Sequence, residues 1–221
     1  MHNARALLIS FYFPPFHKSS GSLRIMKFAK YLPEFGFDPM ILTANTFAYE
    51  KTDPSMLNSL PRDLHIHRAF AFDAKRHLSF KGRYPGFLAA PDRYSTWIPF
   101  AIAAGLRLIS KQKINVIFSS SPTLSNHIIA NALSKITGKP WVADFRDPAW
   151  DDDDKKRSIE IQSWKYAEAM TFNHSKKVTV TTNGMRTLYL DRYEHKDPKD
   201  IHVIENGFDY PDFEHINVSN G

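Results

Sequence analysis

The sequence predicts an α/β fold, in which helices flank a doubly wound, mostly parallel sheet of seven strands. Two observations carry this prediction. Short apolar runs, typical of strands buried on both faces of a sheet, alternate with amphipathic stretches of helical length. Connections of that length are typical of crossovers between parallel strands. A chain of 221 residues is also long enough to bury a large core.

The first strand is predicted over residues 4–11, where Ala6–Phe11 is almost continuously apolar, and two prolines end it. A helix follows over 22–35, while 44–63 and 71–96 are predicted to be largely irregular. The other strands are predicted at 39–43, 64–70, 115–119, 141–145, 177–181 and 201–205, and the other helices at 97–111, 121–136, 154–174 and 183–193.

Composition narrows the class of protein. The chain is 43% hydrophobic and 24% charged, as in soluble globular proteins, and it shows neither a signal peptide nor a membrane-spanning stretch. It has no cysteine, which excludes disulfides, thiolate metal sites and cysteine nucleophiles. We therefore predict a cytoplasmic protein. A net charge of +6 favours anionic partners such as phosphates or acidic lipids.

The loop after the first strand is a candidate anion site. Ser19, Ser20 and Gly21 are small residues just before a helix, whose free N–H groups and dipole attract phosphate. The loop lacks both the dinucleotide fingerprint and the P-loop pattern. An ordinary strand–helix connection therefore stays an equal alternative.

Polar residues also follow the fourth, fifth and seventh strands, and carboxyl ends of parallel strands are where ligands bind. Ser120 and Ser121 offer hydroxyl groups, although one serine is expected to cap the next helix. Asn206-Gly207 after the last strand is a turn signal.

The segment after the fifth strand combines three kinds of ligand-binding side chain. Asp144 and Asp147 flank Arg146, and Trp150 follows. Carboxylates accept sugar hydroxyls, arginine binds phosphate through two donors, and an indole packs on a sugar ring. A structural ion pair at the end of the strand is the alternative.

These motifs together resemble the N-terminal domain of a family-four glycosyltransferase of the GT-B fold. The resemblance covers nearly the whole chain and rests on Phe13–Arg24, Tyr31–Gly36, Phe145–Pro148 and Ile204–Asp209 in that order. It is strongest to enzymes that build bacterial surface polysaccharides. It implies a Rossmann-like sheet that forms the acceptor-binding half of such an enzyme.

The resemblance implies transfer of a sugar from a nucleotide-sugar to a glycan or lipid-linked acceptor, with retained anomeric configuration and with no cofactor or metal. Residues 1–209 would form the acceptor domain, in which the Ser19–Gly21 loop and Arg24 approach the donor phosphate. Asn206 and Gly207 would belong to the hinge, which continues through residues 210–221. The nucleotide-sugar domain would be absent, so that the fragment alone is inactive.

The resemblance also implies roles at the candidate site. Asp147 would act on the acceptor hydroxyl as base or orienter, and Arg146 would bind a phosphate or hold Asp147. The remaining acceptor-binding residues would be Ser120, Ser121, Asp144 and Trp150. Two departures leave a catalytic group of this domain open, because Ser20-Gly21 replaces two glycines and serines replace a histidine after the fourth strand.

A basic, aromatic segment lies between the third strand and the next helix. Its cations are Lys75, Arg76, Lys81, Arg83 and Arg93, and its neighbours include Phe80 and Tyr84. Such a mixture suits an anionic membrane interface, so peripheral attachment to the inner membrane is one interpretation. A partly buried loop with solvated lysines is the other. No nucleic-acid-binding motif is present.

Two other functions stay open at this point. A nucleotide-dependent oxidoreductase on a similar sheet would need a glycine fingerprint and an acidic residue after the second strand, where this chain has Thr43-Ala44-Asn45. A non-catalytic binding subunit of a split enzyme would leave all reactive groups to a partner chain.

Overall fold

The computed structural model describes residues 3–17, 20–79, 90–151 and 158–209. The described strands are β1 (Ala4–Ile9), β2 (Phe37–Ala44), β3 (His65–Ala69), β4 (Val116–Ser120), β5 (Trp141–Phe145), β6 (Lys177–Val180) and β7 (Ile201–Val203). The described α-helices are α1 (Ser20–Tyr31), α2 (Ala74–His77), α3 (Ile98–Gln112), α4 (Ser125–Thr137), α5 (Ser158–His174) and α6 (Asn183–Arg192).

The seven strands form one sheet in the order β3-β2-β1-β4-β5-β6-β7, and every neighbouring pair is parallel. The chain runs outward in one direction from β1 to β3 and in the other from β4 to β7. This confirms the predicted doubly wound sheet. The direction reverses between β1 and β4, and ligands of such sheets bind beyond the carboxyl ends of the strands at that reversal.

Strand β1 is buried on both faces, as its continuous apolar run predicts. Leu7 and Ile9 belong to the core cluster shared with α3, α4 and α5, whereas Leu8 belongs to the cluster around Ile25 of α1. All four side chains are fully buried. Each contributes roughly 1.5–3 kcal/mol of burial free energy. This burial holds β1 in the sheet next to β4, whose carboxyl end lies at the candidate site.

The helices differ from the prediction in three places, and the first is α4, which begins at Ser125 and not at residue 121. Helix α1 begins at Ser20, two residues before the predicted start, so Ser20 and Gly21 form its first turn. Helix α2 lies in a segment predicted to be irregular. It forms because Asp73 is a strong N-cap, whose carboxylate accepts hydrogen bonds from the Lys75 and Arg76 N–H groups.

Several predictions fall outside the described residues. Ser19, Lys81 and Arg83 lie there, as do the start of the helix predicted over 154–174 and the predicted hinge extension 210–221. Helix α5 is described from Ser158 onward.

Candidate functional site at the carboxyl edge of the sheet

Asp144, at the end of β5, is the centre of a buried polar network. Its carboxylate accepts two hydrogen bonds from Arg24, at 3.0 Å from Nε and 2.9 Å from Nη2. It also accepts the hydroxyls of Ser120 and Thr179, each at 2.7 Å. These neighbours meet because Ser120, Asp144 and Thr179 are in register on β4, β5 and β6. Four hydrogen bonds from within the chain thus hold this carboxylate at the end of β5.

Arg24 joins this network to the end of the sheet. Its Nη2 donates to the Ile204 carbonyl at 3.0 Å, and its Nη1 donates to the Glu205 carbonyl at 3.3 Å and to Asn206 Oδ1 at 3.2 Å. The side chain is only 8% exposed. The guanidinium predicted to approach a donor phosphate thus makes five hydrogen bonds within the chain, and it anchors the segment that carries Asn206 and Gly207.

Asp209 fixes the same segment further along α1. Its carboxylate accepts hydrogen bonds from Lys27 at 2.6 Å, Lys30 at 2.9 Å and the Tyr31 hydroxyl at 2.7 Å. These bonds, with that from Lys27 foremost, hold the pKa of Asp209 well below its usual value. Residues 204–209 therefore lie along one face of α1 as a strap.

Arg146 is a buried cation without a partner in the described chain. Its backbone N–H donates to Ser121 Oγ at 2.9 Å, and its carbonyl accepts the Thr181 hydroxyl at 2.9 Å. The residue is 9% exposed, and Nε finds no acceptor among the described residues. Burial lowers the pKa of the guanidinium, against the opposing effect of the Asp144 and Asp147 carboxylates.

A cavity of about 570 Å³ opens beside the ends of β4 and β5. Three predicted site residues line it, namely Ser121, Asp147 and Trp150, together with Arg93 from the basic segment. The volume lies in the range of small-ligand sites. Further carboxylates and an indole complete the wall: Asp92, Asp151, Glu160 and Trp164. Hydroxyl-rich ligands suit such a lining, because carboxylates accept their hydrogen bonds.

Trp150 is held by cations. Lys165 Nζ lies 4.0 Å and Arg192 Cζ 3.7 Å from the centroid of its ring. Cation–π attraction stabilises this arrangement by roughly 0.5–2 kcal/mol for each contact. A sugar that stacked on Trp150 would compete with these side chains for the face of the ring.

Glu168 of α5 organises the wall behind Trp150, and the sequence analysis missed it. The carboxylate is fully buried and accepts hydrogen bonds from Ala149 N at 3.0 Å, Arg192 at 2.8 Å, Tyr193 OH at 2.8 Å and Tyr189 OH at 3.2 Å. It thereby ties the loop after β5 to helix α6. A lone carboxylate between two alanines, in an otherwise apolar stretch of helix, is the signal that could have found it.

Asp92 was also missed. Its carboxylate accepts hydrogen bonds from the Ser125 N–H at 2.8 Å, the Ser125 hydroxyl at 2.9 Å and the Tyr94 N–H at 2.9 Å. It therefore caps α4 from a distant segment and completes one side of the cavity. Burial raises the pKa of Asp92, and the hydrogen bonds from Ser125 act against that rise.

His127 lies in the core and not in the cavity lining. Its Nδ1 is 2.8 Å from Ser119 Oγ, which also accepts the Trp141 indole N–H at 2.8 Å. Burial lowers the pKa of His127 to about 4, so the ring is neutral at pH 7. Within residues 3–17, 20–79, 90–151 and 158–209, no three histidine or acidic side chains are grouped to hold a metal ion.

No protein-family model and no curated protein sequence matches the chain. Solved structures do. Sucrose-phosphate synthase from Thermosynechococcus elongatus aligns with a TM-score of 0.64 at 13% identity, over 94% of this chain and 49% of the synthase. HepE from Anabaena, in complex with UDP-glucose, aligns with a TM-score of 0.59 at 13% identity, over 94% of this chain and 45% of HepE.

The chain is also similar to two further solved structures. Phytolacca americana UGT2, complexed with UDP-2-fluoro-glucose and pterostilbene, gives a TM-score of 0.61 at 14% identity over 94% of this chain and 54% of UGT2. UDP-GlcNAc 2-epimerase from Methanocaldococcus jannaschii aligns with a TM-score of 0.53 at 14% identity, over 91% of this chain and 45% of the epimerase. The fold is that of a GT-B enzyme domain. This Rossmann-like domain spans about half the length of the solved chains it matches.

Proposed function

We propose that the chain is the acceptor-binding, N-terminal half of a retaining family-four glycosyltransferase. It would move a sugar from a nucleotide-sugar to a glycan or lipid-linked acceptor in surface polysaccharide synthesis, without a metal or other cofactor. Attachment of the basic segment 75–93 to an anionic membrane belongs to the same proposal. The missing half would bind the nucleotide.

One observation carries this proposal: just after β5, a buried guanidinium whose Nε has no acceptor among the described residues comes one position before an exposed carboxylate that lines the cavity. Asp147 is exposed at the cavity, and Arg146 is buried with an unpartnered Nε. Asp147 would accept a hydrogen bond from the acceptor hydroxyl and take its proton as that oxygen bonds to the anomeric carbon of the sugar and the bond from that carbon to the nucleotide phosphate breaks, so that the nucleotide leaves. Arg146 would face a phosphate of the donor or acceptor.

The structure also weighs against an oxidoreductase. The turn before α1 has no glycine fingerprint, and β2 ends at Ala44, followed by Asn45, where a dinucleotide site would carry an acidic residue. A non-catalytic subunit of a split enzyme stays an alternative, which the same experiment addresses.

The test is transfer activity in the enzyme that carries both halves. Asp147→Ala is expected to lower the transfer rate by ~10²-fold or more, since positioned acid–base groups contribute about 10²–10⁴-fold. Arg146→Ala is expected to reduce transfer similarly. Both variants should stay folded, because Asp147 is exposed and Arg146 leaves no described carboxylate unpaired. Asp191→Ala, at an exposed position on α6, is the matched control.

Near-parent rates for both site variants would exclude this site. A rate that falls equally in Asp191→Ala would show a general loss of the fold. If the parent enzyme transfers no sugar from any nucleotide-sugar, the non-catalytic subunit becomes the better interpretation.

A further inference from the structure

Three phenylalanine rings are exposed at the corner of the sheet where β2 and β3 end. Phe47 is 56% exposed, Phe70 40% and Phe100 46%. Phe47 follows β2, Phe70 follows β3, and Phe100 is in the first turn of α3. These three residues are called the aromatic ridge below. Aromatic rings this exposed and this close together are a signature of an interaction surface.

The ridge is continuous and held in place from below. Phe70 and Phe100 meet with ring centroids 5.0 Å apart. Phe72 lies between the two ends of the ridge, 4.8 Å from Phe70 and 6.1 Å from Phe47. His77 stacks on Phe47 at 4.4 Å, with the two rings inclined by 13°. Because packing already orders the rings, little conformational entropy is lost when they bind.

The short helix that packs against the ridge carries an exposed cation. Lys75 is exposed on α2, two residues before His77. The nearby carboxylates are engaged, since Asp73 is buried as the cap of α2 and Glu50 pairs with Arg93 at 3.5 Å. Lys75 is thus an exposed cation on the short helix whose His77 stacks on Phe47.

We propose that the aromatic ridge inserts into the headgroup region of an anionic lipid bilayer, with Lys75 against the lipid phosphates. Three partly exposed rings offer only ~300 Å² if a buried ring covers about 200 Å². That is well below the roughly 800 Å² that each partner contributes to a stable protein–protein interface. A few rings and a cation are, however, enough for interfacial membrane binding.

This inference deepens the membrane attachment proposed for segment 75–93 and requires no step of sugar transfer. It differs from a purely basic attachment, because Arg76 and Arg93 donate hydrogen bonds within the chain, to the Tyr49 carbonyl and the Tyr94 hydroxyl. Apolar insertion is not screened by salt, whereas contact between lysines and phosphates is.

The first test is sedimentation with vesicles of phosphatidylglycerol and phosphatidylcholine at 0.1 M and 0.5 M NaCl. The combined variant Phe47→Ser, Phe70→Ser, Phe100→Ser is expected to bind at least tenfold more weakly than the parent at both salt concentrations. Phe47→Ser alone should weaken binding severalfold, and it guards against loss of fold in the triple variant. Phe35→Ser is the matched control, because Phe35 is 75% exposed and lies just before β2, at the end of that strand opposite to Phe47.

Equal binding of parent and ridge variants would overturn the proposal, and so would equal losses in Phe35→Ser. Unchanged vesicle binding together with conversion of a dimer to a monomer in sedimentation equilibrium would assign the ridge to contact between two copies. A failure of these tests leaves the transfer experiment above unaffected, so the two proposals fail separately.

The second test uses the absence of cysteine from the chain. Phe47→Cys carries a single thiol, which is labelled with an environment-sensitive fluorophore, and Phe35→Cys is labelled in the same way as control. Anionic vesicles are expected to shift the emission of the Phe47→Cys label to shorter wavelength and to leave the Phe35→Cys label unchanged. An unshifted label at position 47 on vesicle-bound protein would refute insertion.

Discussion

Residues of one short motif have separate roles in this molecule. Asp144 and Asp147 lie three positions apart, yet the first is buried under four hydrogen bonds and the second lines a cavity. Loss of Asp144 would leave the Arg24 guanidinium buried without its carboxylate, and breaking a buried pair in this way costs roughly 3–5 kcal/mol. Asp147 has no such structural burden and is free to meet a ligand.

His127 makes the stability of the fold depend on pH. Its pKa is about 4 in the folded state and 6.5 ordinarily, so between these values the unfolded chain binds more protons. Stability therefore falls as the pH falls from 6.5 toward 4. The contribution lost is about 2 kcal/mol at pH 5 and approaches ~3 kcal/mol below pH 4.

Urea unfolding at pH 7.5 and 5.0 measures this dependence. His127→Gln is expected to lose ~2 kcal/mol less between the two pH values than the parent does, whatever its absolute stability. His202→Gln, at an exposed position on β7, is expected to follow the parent. The same pH dependence in parent and His127→Gln would contradict the assignment.

At the scale of elements, distant side chains complete helix ends and strand connections. Helix α4 has no side-chain cap at its own N-cap residue, Leu124, and Asp92 supplies the acceptors from the other side of the cavity. The strap 204–209 is likewise held against α1. Arg24 of α1 donates to the Ile204 carbonyl, and Tyr31 of α1 donates to the Asp209 carboxylate. Neither connection can be inferred from local sequence, because the partners are far apart along the chain.

Asp92→Ala is expected to lower the free energy of unfolding by ~1–2 kcal/mol, since it removes a helix cap and leaves buried donors unpaired. Asp197→Ala is the control, because Asp197 also caps by accepting from a backbone N–H, but on a three-residue 3-10 helix at the surface. Chemical unfolding monitored by circular dichroism compares the two. Equal, small losses would show that Asp92 is not an important cap.

At the scale of the whole molecule, the domain offers one wall of the cleft that the proposed enzyme needs. It spans about half of the solved chains it resembles. The first turn of α1 supplies a few backbone donors, each worth a net ~0.5–1.5 kcal/mol. That sum is small beside the several kcal/mol of translational and rotational freedom lost on association.

We therefore expect this chain alone to bind nucleotide-sugars no better than about 1 mM, which corresponds to roughly −4 kcal/mol. Calorimetry against UDP-sugars, GDP-sugars and NAD is the measurement. Micromolar affinity for a nucleotide-sugar would contradict the acceptor-side assignment. Tight binding of NAD alone would instead bring back the oxidoreductase interpretation.

The sequence by itself determined the sheet. All seven strands lie where apolar runs predict them, because a strand buried on both faces must be apolar along its length. The crossover connections predicted a parallel, doubly wound sheet, and the observed strand order confirms it. For the same reason, the polar residues after β4 and β5 were identified as neighbours at one edge, as Ser120 and Asp144 show.

Only the tertiary structure decided which of those polar residues are free. Whether a carboxylate is saturated, like Asp144, or open, like Asp147, depends on donors that arrive from other elements. Glu168 and Asp92 escaped notice for the same reason, since the partners of Glu168 are 19 to 25 residues away and the helix that Asp92 caps begins 33 residues away. Hydrogen bonding and burial are properties of the assembled fold, whereas hydrophobic periodicity is a property of each segment.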